Sequence, residues 1–316
     1  ISEFESISNT SKNKSSVMPA IQTHSLTKYY GKSRGVIDLD FKVEEGETYG
    51  FIGPNGAGKS TTIRLFLNLL FPSSGKAEIF GHDIIREGKK IREMIGFVPS
   101  EVNFYKYMTV KELLEYSARY YRVTLNGHYK QLVDMLEIDL HKKFEDLSMG
   151  NKKKVAVVQA LIHKPRLLIL DEPTSGLDPL MQSRFFNIIS EENQRGTTVF
   201  FSSHILSEVE KLCHRVAIIK EGKIVREDDI DNIKSTQLSR VSIHLIAPAK
   251  PLTIKTPGVI EKRDTLDGMT FLFKGDPRQL LRDLSELPIG RISIEEPDLE
   301  EVFMHYYEDQ NGEVQS

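Results

Sequence analysis

Apolar and polar residues change period several times along the chain, and each change predicts a change of element. From Ile21 they alternate through IQTHSLTKYY and VIDLDFKVEEG, a period of two that predicts antiparallel strands turned at Gly31 and Gly46. TYGFIG reads as a short buried strand, a glycine-rich turn follows, and in STTIRLFLNLL the residues Ile63, Phe66, Leu67 and Leu70 return at helical spacing. From about Thr109 to Leu140, VKELLEYSARYY and YKQLVDMLEI predict a helical insert broken at Asn126 and Gly127. RLLILDE and TTVFFSSH are strongly apolar runs, each fed by a helical stretch, which predicts a parallel sheet covered on both faces. Beyond a polar stretch from Asp228 to Ser239, VSIHLIA, MTFLFKG and RISIEEP predict strands, and PRQLLRDLSEL and DLEEVFMHYY predict helices. The expected fold class is α/β: a main domain over residues 18–238, with its helical part at about 103–147, followed by a small α+β domain over 239–316. Residues 1–17 are polar, rich in Ser and Asn and without apolar periodicity, so a disordered tag or linker is expected there, with Met18 as the natural start.

Composition narrows the function. A chain of 316 residues with 39% hydrophobic and 28% charged content has room for a large domain and a smaller one. Its net charge of -3 lacks the basic excess that would neutralise the phosphates of DNA or RNA, so nucleic acid is not an expected partner. No apolar run approaches the ~18 residues of a membrane span, so any membrane role is expected to come through another protein. Cys213 is the one cysteine; it lies in the apolar LCHRVAII and is expected to pack rather than to catalyse.

The chemistry concentrates in three places. GPNGAGKST, comprising Gly53, Pro54, Asn55, Gly56, Ala57, Gly58, Lys59, Ser60 and Thr61, fits a phosphate-binding P-loop between a buried strand and a helix. There Lys59 would reach the β- and γ-phosphates of a nucleotide and the Ser60 hydroxyl would take Mg²⁺. LLILDE puts Asp171 and Glu172 at the end of a buried strand, where parallel α/β sheets place their ligands. Asp171 would hold Mg²⁺ and Glu172 would orient or deprotonate the attacking water; the plainer alternative for Asp171 is a helix N-cap. LSMGNKKKV reads, by itself, as a Ser148 cap before a basic helix with Lys152, Lys153 and Lys154 on a solvated face.

With these motifs in their order, residues 21 to 225 resemble the ATPases of ABC transporters. The resemblance implies a P-loop NTPase core with an antiparallel β subdomain and a helical subdomain, using ATP and Mg²⁺. LSMGN, Leu147 to Asn151, looks like the family signature, which implies a head-to-tail dimer in which Ser148 and Gly150 contact the γ-phosphate held by a second ATPase subunit. SGLD looks like the D-loop, with Asp178 as the residue carried over, and His204 in FFSSH looks like the switch histidine beside Glu172. Tyr30 matches the aromatic that stacks on adenine.

The position of the family's Q-loop glutamine holds Ser100 followed by Glu101. Ser100 coordinating metal through a water, Glu101 substituting, and slower hydrolysis are the readings it leaves. Phe104, Tyr105 and Tyr107 read either as part of the groove for a permease's coupling helix or as core. The C-terminal part resembles the extension on ATPases of ABC-2 type exporters, which implies a subunit at the cytoplasmic face of the membrane, touching the bilayer only through a permease on a separate chain. A non-transport ATPase, associated with nucleic acid or ribosomes, and an importer motor are the competing readings.

Overall fold

The computed structural model describes residues 18–234, 238–246, 254, 256–265, 267–285 and 287–295. The expected tag at 1–17 and the expected helix DLEEVFMHYY lie outside them. Alternation at the start builds β1 (Ile21–Tyr30), β2 (Ser33–Leu39) and β3 (Lys42–Val43), with Gly31 and Gly46 in the turns. β4 (Thr48–Ile52), buried at every position, runs through the P-loop into α1 (Lys59–Phe66). β5 (Ser74–Ile79) and β6 (His82–Asp83) complete an antiparallel sheet ordered β2-β1-β5-β6, with β3 also paired to β1.

The chain then continues through α2 (Gly88–Met94), β7 (Ile95–Val98), α3 (Val110–Tyr121), α4 (Gly127–Met135) and α5 (Met149–Leu161). β8 (Leu167–Asp171), α6 (Pro179–Gln194), β9 (Thr198–Ser203), α7 (Leu206–Leu212), β10 (Arg215–Lys220) and β11 (Lys223–Asp229) follow. The second sheet is ordered β11-β10-β4-β9-β8-β7; its strands are parallel except for the hairpin partner β11. β4, β8 and β9 therefore stand side by side, and the loops at their carboxyl ends carry the P-loop, the two acids and His204 to one edge of the sheet.

An aromatic cluster fixes the strand and helix that flank the P-loop. Phe41, Phe51 and Phe66 pack around Phe200, with ring centroids 6.2, 5.3 and 5.6 Å from it, the Phe66 contact being edge-on. Each such pair adds about 1 kcal/mol to simple area burial. Phe51 precedes the loop and Phe66 follows it, so the loop is anchored at both ends to β9.

The remaining described chain forms α8 (Ile230–Lys234), β12 (Leu238–Leu245), β13 (Val259–Thr265), β14 (Gly268–Lys274), α9 (Pro277–Leu284) and β15 (Ile289–Glu295). Its antiparallel sheet, ordered β13-β14-β12-β15, buries Val241, Ile243, Phe271 and Phe273 against Leu280 and Leu284 of α9. The three expected strands and the first expected helix are present. β13 is an addition: in VIEKRDT only Val259 and Ile260 are apolar, too few to show a period.

Two expectations are corrected, and a third is given its physical cause. α1 stops at Phe66 rather than running to Leu70, because Asn68 takes a left-handed φ of 53° and the N–H groups of Leu69 and Leu70 fold back onto the Arg64 carbonyl. The break expected at Asn126 and Gly127 is present: α3 ends at Tyr121, and the Asn126 side chain, accepting from the N–H groups of His128 and Tyr129, starts α4. Lys153 is not on a solvated face: it is fully buried, on the side of α5 that also carries Val157 and Ala160.

Candidate functional site

The P-loop is shaped by contacts that side chains would obstruct. Gly58 caps α1 at φ 115°, a left-handed value that favours glycine, and it has no side chain to satisfy the first turn. The N–H groups of that turn therefore point towards the loop's concavity, an arrangement suited to phosphate oxygens. A Cβ on Gly53 would lie 2.2 Å from the Ile219 carbonyl oxygen, so only glycine lets the loop leave β4 this close to β10. Lys59 is buried, and its ammonium donates to the carbonyls of Gly53 at 2.6 Å and Pro54 at 3.2 Å.

The two acids end β8 with different surroundings. Asp171 is buried; burial raises its pKa above the ordinary carboxylate value, and hydrogen bonds from Ser60 and Ser202 oppose that rise. It begins no helix, so the capping alternative fails. Glu172 adopts φ 46°, unusual for a side-chain-bearing residue, and its backbone N–H donates to Ser202 on β9 at 2.9 Å. One carboxylate oxygen of Glu172 lies 3.4 Å from the Lys59 ammonium and 3.1 Å from Nδ1 of His204. Three groups that the sequence spreads over 146 positions, from Lys59 to His204, thus converge on one oxygen.

Other predicted residues surround this centre. A cleft over the P-loop is lined by Tyr30, Asn55, Gly56, Gly58, Lys59, Ser60, Thr61 and Glu172. The Tyr30 hydroxyl lies 3.3 Å from that of Thr61, which sets its ring at the cleft's rim. Pro54 lies in the same loop, and Ala57 is buried, its N–H donating to the Pro54 carbonyl at 3.1 Å. Ser148, Gly150 and Asp178 are not in that lining. Ser148 caps α5 by accepting from Asn151, and Asp178 caps α6 by accepting from Met181 at 3.0 Å. Gly150 abuts Gly176 so closely that a Cβ would sit 2.6 Å from the Gly176 carbonyl oxygen. Ser100 is exposed at the end of β7, and its carbonyl accepts from Lys153 at 2.8 Å. Of the three aromatics that follow, Tyr105 and Tyr107 are exposed at 59% and 81%, whereas Phe104 packs on Phe144 at 5.2 Å.

Sequence reasoning missed several groups. Arg34 and Gly35 also line the cleft; nothing in SRGVIDL distinguishes them from strand residues. Lys153 donates to the carbonyls of Pro99, Ser100 and Glu172; burial lowers its pKa to about 8, against the opposing pull of Asp171 and Glu172. Its signal was present, since Lys153, Val157 and Ala160 share helical spacing. Glu208 is buried on α7 and accepts from Thr174, two residues after Glu172, and from Ser203, immediately before His204.

The family model for "ABC transporter" matches residues 36–175. The bacitracin transport ATP-binding protein of Bacillus licheniformis is 42% identical over 68% of this chain and 71% of its own. The Nod factor export ATP-binding protein I of Rhizobium etli is 31% identical over 91% of this chain and 93% of its own. Among solved structures, a dimeric ATP-binding cassette in a post-hydrolysis state with ADP and Pi aligns at a TM-score of 0.61 and 25% identity, over 66% of this chain and 98% of that one.

Proposed function

The chain belongs to the ABC transporter ATP-binding proteins, and from that premise we propose that it is the motor of an ABC-2 type exporter, closing head-to-tail on a second copy to drive a permease carried on a separate chain. It is an ATP-binding subunit and an ATP hydrolase. The finer reading rests on the convergence of Lys59 and His204 on one carboxylate oxygen of Glu172, at 3.4 and 3.1 Å.

In this reading Tyr30 stacks on the adenine, and the backbone from Gly53 to Thr61 wraps the phosphates. Lys59 exchanges its carbonyl partners for β- and γ-phosphate oxygens. Glu172 aligns the attacking water and takes up its proton, while His204 holds the Glu172 carboxylate and the γ-phosphate in line. Ser60 and Asp171 would offer the hard oxygens that Mg²⁺ prefers, with Ser100 contributing through a water. When bound, Mg²⁺ would offset charge on the β- and γ-phosphates.

Ser148, Gly150 and Asp178 act across the dimer. Their place outside this chain's own cleft supports a role at the partner's nucleotide, with ATP holding the pair together. Tyr105 and Tyr107 form the exposed face offered to the permease, and the name of the Rhizobium etli relative supports export. Among the described residues no helix is long and apolar enough to cross a membrane, in keeping with a peripheral subunit at the cytoplasmic face. Residues 18–238 serve as the ATPase domain, with residues 239–316 as an accessory domain.

Co-expression with the membrane protein encoded beside it, purification through a tag on that neighbour, and phosphate-release assays of wild type and Glu172→Gln test this reading. Co-purification with turnover reduced about 10²- to 10⁴-fold by the substitution is expected. An active protein that recruits no membrane partner would overturn the transport reading, and an active Glu172→Gln would overturn the site.

A further inference from the structure

Lys153 carries one charge and three N–H donors into a place with no solvent exposure. Its ammonium donates to the Pro99 carbonyl at 2.7 Å, the Ser100 carbonyl at 2.8 Å and the Glu172 carbonyl at 3.2 Å. Donors and acceptors match in number, so removing the ammonium would take a donor from each of three carbonyls at once. Two of those acceptors lie in the loop after β7 and the third in the loop after β8.

The third acceptor belongs to the residue whose carboxylate meets Lys59 and His204. Glu172 is held at φ 46°, a backbone conformation that L residues adopt only when their surroundings impose it. Its N–H is fixed by Ser202 at 2.9 Å and its carbonyl by Lys153, so the residue is gripped at both ends. That grip fixes the direction of the Cα–Cβ bond from which the carboxylate extends. Ser100, whose side chain is short, is likewise placed through its carbonyl.

We propose that Lys153 is a positioning residue for ATP hydrolysis: its ammonium clamps the Glu172 peptide to the Ser100 loop and thereby aims the Glu172 carboxylate at the attacking water. Lys153 touches no substrate in this role and acts through Glu172. The inference rests on the reading of Glu172 as the group that activates water.

The test uses the full chain with Lys153→Met, which keeps length but removes donors, and Lys153→Arg, which keeps donors. ATP affinity is read by titration with a fluorescent nucleotide, kcat and KM by phosphate release, and folding by an unfolding midpoint, with Glu172→Gln alongside. Lys153→Met should bind ATP within about threefold of wild type and lose roughly 10- to 100-fold in kcat, while Lys153→Arg recovers most of that loss. A folded Lys153→Met with wild-type kcat would sink the proposal. So would a loss of kcat and ATP affinity in equal proportion that arginine does not relieve. Should Lys153→Met fail to fold, Lys153→Gln, which keeps amide donors, is read by the same kcat-against-KM split. If Glu172→Gln is inactive while Lys153→Met turns over normally, only the positioning role falls; if Glu172→Gln turns over normally, the reading of the site falls with it.

Discussion

The Thr174 hydroxyl donates to Glu208 across 34 residues of chain, with Oγ1 and Oε1 2.5 Å apart. The other carboxylate oxygen of Glu208 accepts from the Ser203 hydroxyl at 2.8 Å. Thr174 stands two residues after Glu172, and Ser203 immediately before His204, so one buried carboxylate ties together the loops that bring those two side chains into contact.

Glu208→Ala should therefore damage both stability and turnover. It strands two buried hydroxyls, a cost on the order of 1–3 kcal/mol, and frees the two loops to separate. Denaturant unfolding should show the destabilisation, and phosphate release at saturating ATP should fall further than nucleotide affinity. Equal losses in both would show that Glu208 serves the fold alone.

Gly53→Ala should weaken ATP binding at least about tenfold, because the new methyl would press on the Ile219 carbonyl oxygen at 2.2 Å and push the P-loop off its seat. Gly46→Ala is the control. Unlike Gly53 it sits at positive φ, but it faces open space, so it should cost about 0.5–1 kcal/mol of stability and leave nucleotide titration unchanged.

His163 should make the fold acid-sensitive. Its ring stacks on Tyr121 at 3.8 Å, Nε2–H donates to the Ile95 carbonyl at 3.1 Å, and Nδ1 is buried without a partner. Burial lowers its pKa from 6.5 to about 4, which the Ile95 bond only partly offsets. The unfolded chain takes up this proton at higher pH than the folded one. Stability is thus intact above about pH 6.5 and falls as pH drops towards 4, by about 1.4 kcal/mol for each unit of pKa depression. His163→Phe should flatten that part of a melting profile against pH.

Cys213 should be inert in the native protein. It is 7% exposed, and burial pushes its thiol well above the usual range, which leaves almost no thiolate. A maleimide at neutral pH should label the folded chain negligibly and the unfolded chain once. Cys213→Ala should keep full ATP turnover at a stability cost of about 1 kcal/mol.

Local patterning carried most of the element assignments. Strand and helix periods around β1, β4, β8, β9 and α3 depend on neighbours two to four residues away, which a sequence displays directly. The P-loop was equally legible, since its glycines, Lys59 and Ser60 form one continuous segment. Asp171 and Glu172 were legible because an apolar strand that ends in acids is itself a local signal.

What the sequence could not supply is the partner of each polar group when that partner lies far along the chain. In KKK, three identical lysines differ only in the direction the helix gives them, and packing against β7 turned Lys153 inward onto the carbonyls of Pro99, Ser100 and Glu172. Thr174, Ser203 and Glu208 are unremarkable letters until the loop after β8, the end of β9 and α7 meet. α1 ended early because the turn at Asn68 closed on Arg64, a choice that helical spacing through Leu70 did not reveal. The sequence by itself determined the periods, the glycine-dependent loop and the acids at the strand's end, because these rest on local sterics and burial. Only the tertiary structure decided which buried donor meets which acceptor, because that depends on contacts between segments tens to more than a hundred residues apart.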